Sequence, residues 1–119
     1  MDASDMKKRT KTFALRIIRL VEQLPTSRSS DVIGKQLLRC GTSVGANYQA
    51  SCRARSQADF IAKMGIVEEE ADEVGYWIEL LIESGLIRKD LVADLLDEAN
   101  QLVAITVSSI KTARQQTSR

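Results

Sequence analysis

Apolar residues recur along this chain at gaps of three and four in four separate stretches, the spacing of one face of an α-helix. The cleanest series is Phe60, Met64, Val67, Ala71, Val74, Ile78 and Leu81, with gaps of 4-3-4-3-4-3 and an apolar residue at every position. It predicts a helix over 57–84, with Ser56 as the N-terminal cap and Gly85 just past the end. Phe13, Ile17, Leu20, Val21 and Leu24 predict an earlier helix over 5–24, capped by Ser4 or Asp5 and stopped before Pro25. Ile33, Leu37, Cys40 and Val44 predict one over 30–55, and Asn47 and Ser51 continue the same spacing, so polar residues enter this core stripe. The last stretch, 89–113, carries two stripes. One is Val92, Leu96, Ala99, Val103, Thr106 and Ile110; the other is Leu91, Leu95, Leu102 and Ile105. A second stripe on one helix predicts a second contact surface and hence self-association, and the polar tail from Thr112 is expected to fray. No strand pattern or repeat interrupts the series. Short connections between four helices predict one all-α domain over 1–119, an antiparallel up-down-up-down four-helix bundle.

Composition narrows the picture by exclusion. The chain has 119 residues, 44% of them hydrophobic, and a single proline, which fits one helical core. No run of about 20 apolar residues is present to span a membrane, and no signal-peptide pattern opens the chain, so a cytoplasmic location is expected. Cys40 and Cys52 fall on one predicted helix, roughly 18 Å apart by helical rise, too far for a disulfide. With no histidine and only two separated cysteines a zinc site is not expected, a Glu-x-x-His di-iron site cannot be assembled, and nucleophilic catalysis lacks its usual base. No metal and no cofactor is expected.

Charge adds an asymmetry. Residues 1–55 carry eleven Lys or Arg against four Asp or Glu, a net +7, whereas residues 56–119 carry six against twelve, a net −6. On the first helix Lys8, Arg9, Arg16 and Arg19 lie away from the apolar side, a candidate phosphate-binding surface. Nothing aromatic interleaves them, so contacts would go to nucleic-acid phosphates rather than bases.

Two features of residues 39–47 point inward instead. Gly41 and Gly45 stack on one helical face, where each costs roughly 1 kcal/mol against alanine, so a second helix is predicted to cross closely there. Arg39, Ser43 and Asn47 share another face, level with Glu70 and Glu73, and predict a polar network fixing the register of two helices. The run Glu69-Glu70-Ala71-Asp72-Glu73 also matches the E-E-x-x-E pattern of all-α nucleotide pyrophosphatases, with Asp94-Leu95-Leu96-Asp97 as an imperfect second half.

Two blocks carry a family resemblance. The first is Gln36-Leu37-Leu38-Arg39 followed by Thr42-Ser43-Val44-Gly45-Ala46-Asn47-Tyr48. The second is Asp59-Phe60-Ile61, then Glu70-Ala71-Asp72-Glu73 and Tyr76-Trp77-Ile78-Glu79-Leu80-Leu81. Together they resemble the four-helix bundle proteins encoded in intervening sequences of bacterial 23S ribosomal RNA genes. The resemblance implies a left-handed bundle assembling into a ring of five. It also implies, by analogy with one branch, a basic surface that engages nucleic acid and a reverse transcriptase. Two positions depart from the pattern: Ala50 stands where a glutamate is common, and Arg55 stands where an acidic residue is common. Arg55 thereby joins the candidate nucleic-acid residues. The expected function is that of a non-enzymatic homopentameric scaffold binding RNA or DNA. The alternatives are a protein adaptor without nucleic-acid contact and a Mg²⁺-dependent pyrophosphohydrolase using the Glu69–Glu73 carboxylates.

Overall fold

The helix with the cleanest periodicity forms as that periodicity dictates. In a computed structural model describing residues 1–117, α3 (Gln57–Glu83) buries Met64, Val67, Ala71, Val74, Ile78 and Leu81, while Phe60 is half-buried near its start. Ser56 is extended, and its Oγ accepts a hydrogen bond from the Asp59 N–H at 3.0 Å. At the other end Gly85 adopts φ +78°, a left-handed conformation that costs glycine little. There the Gly85 and Leu86 N–H groups donate to the Ile82 and Leu81 carbonyls.

The other helices are α1 (Ala3–Glu22), α2 (Arg28–Ser51) and α4 (Lys89–Thr117), and no strand is present among the described residues. Two helices start upstream of their expected places, each with its own cap. Asp2 accepts from the Asp5 N–H and Ser27 from the Ser30 N–H. Helix α2 stops at Ser51 rather than near residue 55, because the Arg53 and Ala54 N–H groups turn back to the Ala50 and Ser51 carbonyls. Helix α4 runs on to Thr117 instead of fraying from Thr112. Gln57 Nε2 ties its end down by donating to the Ala113 carbonyl and to Gln116 Oε1.

Consecutive helices pack on one another, and α4 returns to touch α1 lightly, giving a four-helix bundle. The α1–α2 seam is set by small residues. A Cβ on Gly41 would stand 2.8 Å from Cγ1 and Cγ2 of Ile17, and one on Gly45 would stand 3.2 Å from Thr10 Oγ1. The glycines are therefore where α1 crosses, and their propensity cost is offset by the backbone approach they permit. Gly34 meets Val21 in the same way, so the partners run 21, 17, 10 as α2 runs 34, 41, 45.

Two readings of the stripes change. Tyr48, not Asn47, is the buried residue after Val44, because α2 faces α1 as well as α3 and its buried arc turns toward both. The second stripe of α4 is also absorbed by the bundle. Leu95 and Leu102 are buried and Ile105 packs against the core, leaving Leu91 alone exposed, at 67%. A helix with neighbours on two sides needs a wide apolar arc, and burial within the bundle accounts for the second stripe apart from Leu91. Of the buried hydroxyls, Thr10, Ser51 and Thr106 donate to carbonyls one turn earlier, while Ser30 Oγ has no partner among the described residues.

Candidate nucleic-acid interface

The five cations assigned to one surface from the sequence are not gathered into one. Arg9 is engaged within the bundle. Its Nε and Nη2 donate to both carboxylate oxygens of Glu98, at 2.7 and 2.8 Å, and Nη2 also reaches Gln101 Oε1 at 2.7 Å. The hydrogen bonds to Glu98 raise the Arg9 pKa further, and both side chains are largely shielded. A guanidinium held bidentately in this way has no free fork to offer a phosphate, so Arg9 is a link between α1 and α4.

Arg19 is exposed and Arg16 half-buried near the other end of α1. They border a groove between α1 and α4 with an apolar floor that includes Leu20, Leu91 and Leu95. Lys8 is exposed closer to the start of α1, and Arg55 lies beyond α2 beside that same end of the bundle, lining a hollow with Ala3 and Tyr48. The backbone N–H of Arg55 donates to Asp59 Oδ2 at 3.1 Å, and the Arg55 charge also helps hold the Asp59 carboxyl below its ordinary value.

The α1-start end of the bundle holds further cations outside the set expected from the sequence. Lys7 and Lys11 line a cleft of about 150 Å³ between α1 and α2, floored by Gly45 and Ala46 and closed by Gln49. Arg53 is exposed just beyond α2. None of the side chains of Lys7, Lys8, Lys11, Arg53 and Arg55 makes a hydrogen bond or ion pair among the described residues. Lys7 and Lys11 escaped notice because they lie toward α2 rather than opposite the apolar face, a side that depends on where the chain returns.

The polar network divides in two. Arg39 Nη1 donates to Glu70 at 3.2 Å, its Nη2 bonds Glu73, and Trp77 Nε1 donates to the same Glu73 carboxylate at 2.9 Å. Ser43 and Asn47 stand apart from this cluster. Ser43 Oγ donates to the Arg39 carbonyl and Asn47 Nδ2 to the Ser43 carbonyl, both on their own helix. Glu70 and Glu73 thus face an arginine, and Glu69 is exposed away from them. Among the described residues no three acidic or thiol groups converge as a metal ion requires.

The two cysteines differ in environment. Cys40 is buried, and burial pushes its thiol up to about 12, whereas Cys52 is exposed; both are free. Burial likewise pushes the neighbouring Tyr48 phenol up to about 12. Among the described residues no helix is long and apolar enough to cross a membrane.

Residues 3–108 match the family model described as 23S rRNA-intervening sequence protein. The chain is also similar to a solved structure from Bacteroides thetaiotaomicron VPI-5482, a protein of unknown function from the S23 ribosomal protein family. The two are 36% identical over 93% of this chain and 99% of that one, with a TM-score of 0.86. No curated protein matches. The chain belongs to the 23S rRNA-intervening sequence protein family.

Proposed function

We propose that this family member is a non-enzymatic, self-assembling scaffold that holds RNA or DNA by its phosphates. The binding surface is the end of the bundle where α1 starts and α2 finishes. The observation that carries the reading is the set of exposed cations there, Lys7, Lys8, Lys11, Arg53 and Arg55, whose side chains make no hydrogen bond or ion pair among the described residues. Elsewhere Arg9 and Arg39 are neutralised across helix seams. A cation cluster left unpaired in a chain of net charge +1 supports an external anion as its counterpart. The antiparallel up-down arrangement is supported by the contact order along α1 and α2, and ring assembly, with five copies, is part of the same proposal. Repetition around a ring would let weak phosphate contacts act together.

Fluorescence anisotropy with single-stranded and duplex RNA and DNA tests the reading. Binding should be insensitive to sequence, should fall steeply between about 50 and 200 mM salt, and should drop about tenfold or more in Lys8→Glu/Arg55→Glu. Absence of binding at low salt by an assembled protein would overturn it in favour of a protein adaptor.

A further inference from the structure

The cleft between α1 and α2 differs from the rest of the basic end in having an interior. It lies where the two helices cross closely. Gly45 has no side chain to fill the seam, and a Cβ there would stand 3.2 Å from Thr10 Oγ1. Ala14 on α1 and Ala46 on α2 keep the walls low, so a mostly apolar hollow of about 150 Å³ opens to solvent between the helices. That volume is well below the roughly 300 Å³ at which pockets for drug-sized molecules begin. It admits one small ring system and excludes a long acyl chain.

Its polar groups are sorted by kind. On the α1 rim stand Lys7 and Lys11, one turn apart, whose ammonium groups can only donate. On the α2 side stand Thr42 and Gln49. The Thr42 hydroxyl directs its proton to the Leu38 carbonyl at 2.5 Å, so it offers the cleft lone pairs. The Gln49 amide is exposed, makes no hydrogen bond among the described residues, and offers both a donor and an acceptor. A matching ligand carries anionic oxygens at one end, N–H donors and acceptors at the other, and a flat apolar face between them. Inorganic phosphate has only the first, and a fatty acid has no N–H donor. A nucleotide has all three, in its phosphate, its base edge and its base face.

We propose that this cleft takes one unpaired nucleobase of a single strand, with the flanking phosphates on Lys7 and Lys11. The proposal rests on the phosphate-binding reading above and adds a contact that phosphates alone do not supply. A strand is favoured over a free nucleotide because Lys8, Arg53 and Arg55 are exposed at the same end of the bundle, where neighbouring phosphates meet them. The base lies on Gly45 and Ala46 with its edge toward Thr42 and Gln49. Within a duplex that edge is already paired and that face already stacked, so the slot selects unpaired nucleotides. An aliphatic floor stacks less strongly than an aromatic ring. The gain therefore belongs at the low end of what base stacking contributes, about fivefold in affinity.

Fluorescence anisotropy with two labelled DNA strands of equal length tests this, one of thymidines and one of abasic residues. Both carry the same phosphates, so the salt dependence of binding should match. The thymidine strand should bind about fivefold tighter. Ala46→Leu fills the cleft from an exposed position without changing charge, and should bring the two strands to equal affinity. Ala14→Leu fills it from the α1 wall and should do the same. Helicity by circular dichroism shows that each variant is folded. Equal binding of the two strands by the wild type overturns the slot and leaves the phosphate reading standing. Folded Ala46→Leu and Ala14→Leu variants that keep the wild-type preference for thymidine also overturn the slot alone. Failure of both strands to bind the wild type at low salt overturns the phosphate reading and the slot together.

Discussion

Helix α1 is held on its two sides by different physics. Against α2 the seam is made of shape: Gly41 and Gly45 bring the two backbones close enough for Ile17 and Thr10 to fill the space where side chains would stand. Against α4 the seam is light, with an open apolar groove at one end and the bidentate Arg9–Glu98 bridge further along. A seam made of shape tolerates no added volume and is indifferent to salt. A seam made of charge tolerates volume but depends on both partners being present.

The largest effect should come from filling the tight side. Gly41→Leu forces atoms into Ile17, whose branches are already 2.8 Å from an added Cβ, and should cost about 3 kcal/mol or more, seen as a thermal midpoint lower by roughly 10 °C or more. Gly45→Leu meets Thr10 from 3.2 Å and should cost less, about 1–3 kcal/mol. If both variants melt with the wild type, the seam is not a close crossing.

Breaking the charged side should cost less. Arg9→Met leaves Glu98 mostly shielded without its partner, and about 1–2 kcal/mol should be lost in denaturant unfolding. Adding Glu98→Leu should recover most of that, since a matched apolar pair removes the stranded charge. An Arg9→Met variant as stable as the wild type would show that the bridge contributes nothing.

The smallest effect sharpens the contrast at an exposed ion pair. The hydrogen bond from Lys63 holds the Asp59 carboxyl below its ordinary value of 3.8. A depressed carboxylate stabilises the fold above its unfolded pKa, and that contribution disappears as pH falls through the lower folded value. Lys63→Ala should move the Asp59 titration midpoint, followed by NMR, up toward 3.8 with little change in stability at neutral pH. A midpoint that does not move would assign the shift to another cause.

These seams also mark how far the sequence could be read. The α3 series and the Gly41/Gly45 crossing were legible because each is a local pattern whose physical meaning holds whatever the partner. Asn47 against Tyr48 was not, because the buried arc of α2 depends on the angle between its two neighbours. The double stripe of α4 was visible, but its meaning was not, since a second apolar arc serves a neighbouring helix as well as a foreign surface. For the candidate site, the basic character of α1 was plain. Which cations stayed free was not, because Arg9 finds Glu98 across 89 positions of sequence. Nothing near Arg9 distinguishes it from Lys8.

That long reach has a consequence for the order in which the molecule forms. Adjacent helices meet across short connections, so the α1–α2, α2–α3 and α3–α4 pairs can each form at small loop-closure cost. The Arg9–Glu98 bond closes a separation of 89 positions, far more than any adjacent-helix contact, so it is expected to form late on the folding route, after the rate-limiting step. A contact made that late does little to hasten folding. Its effect falls on escape from the native state, so the bridge acts as a latch that sets how long the finished bundle stays shut.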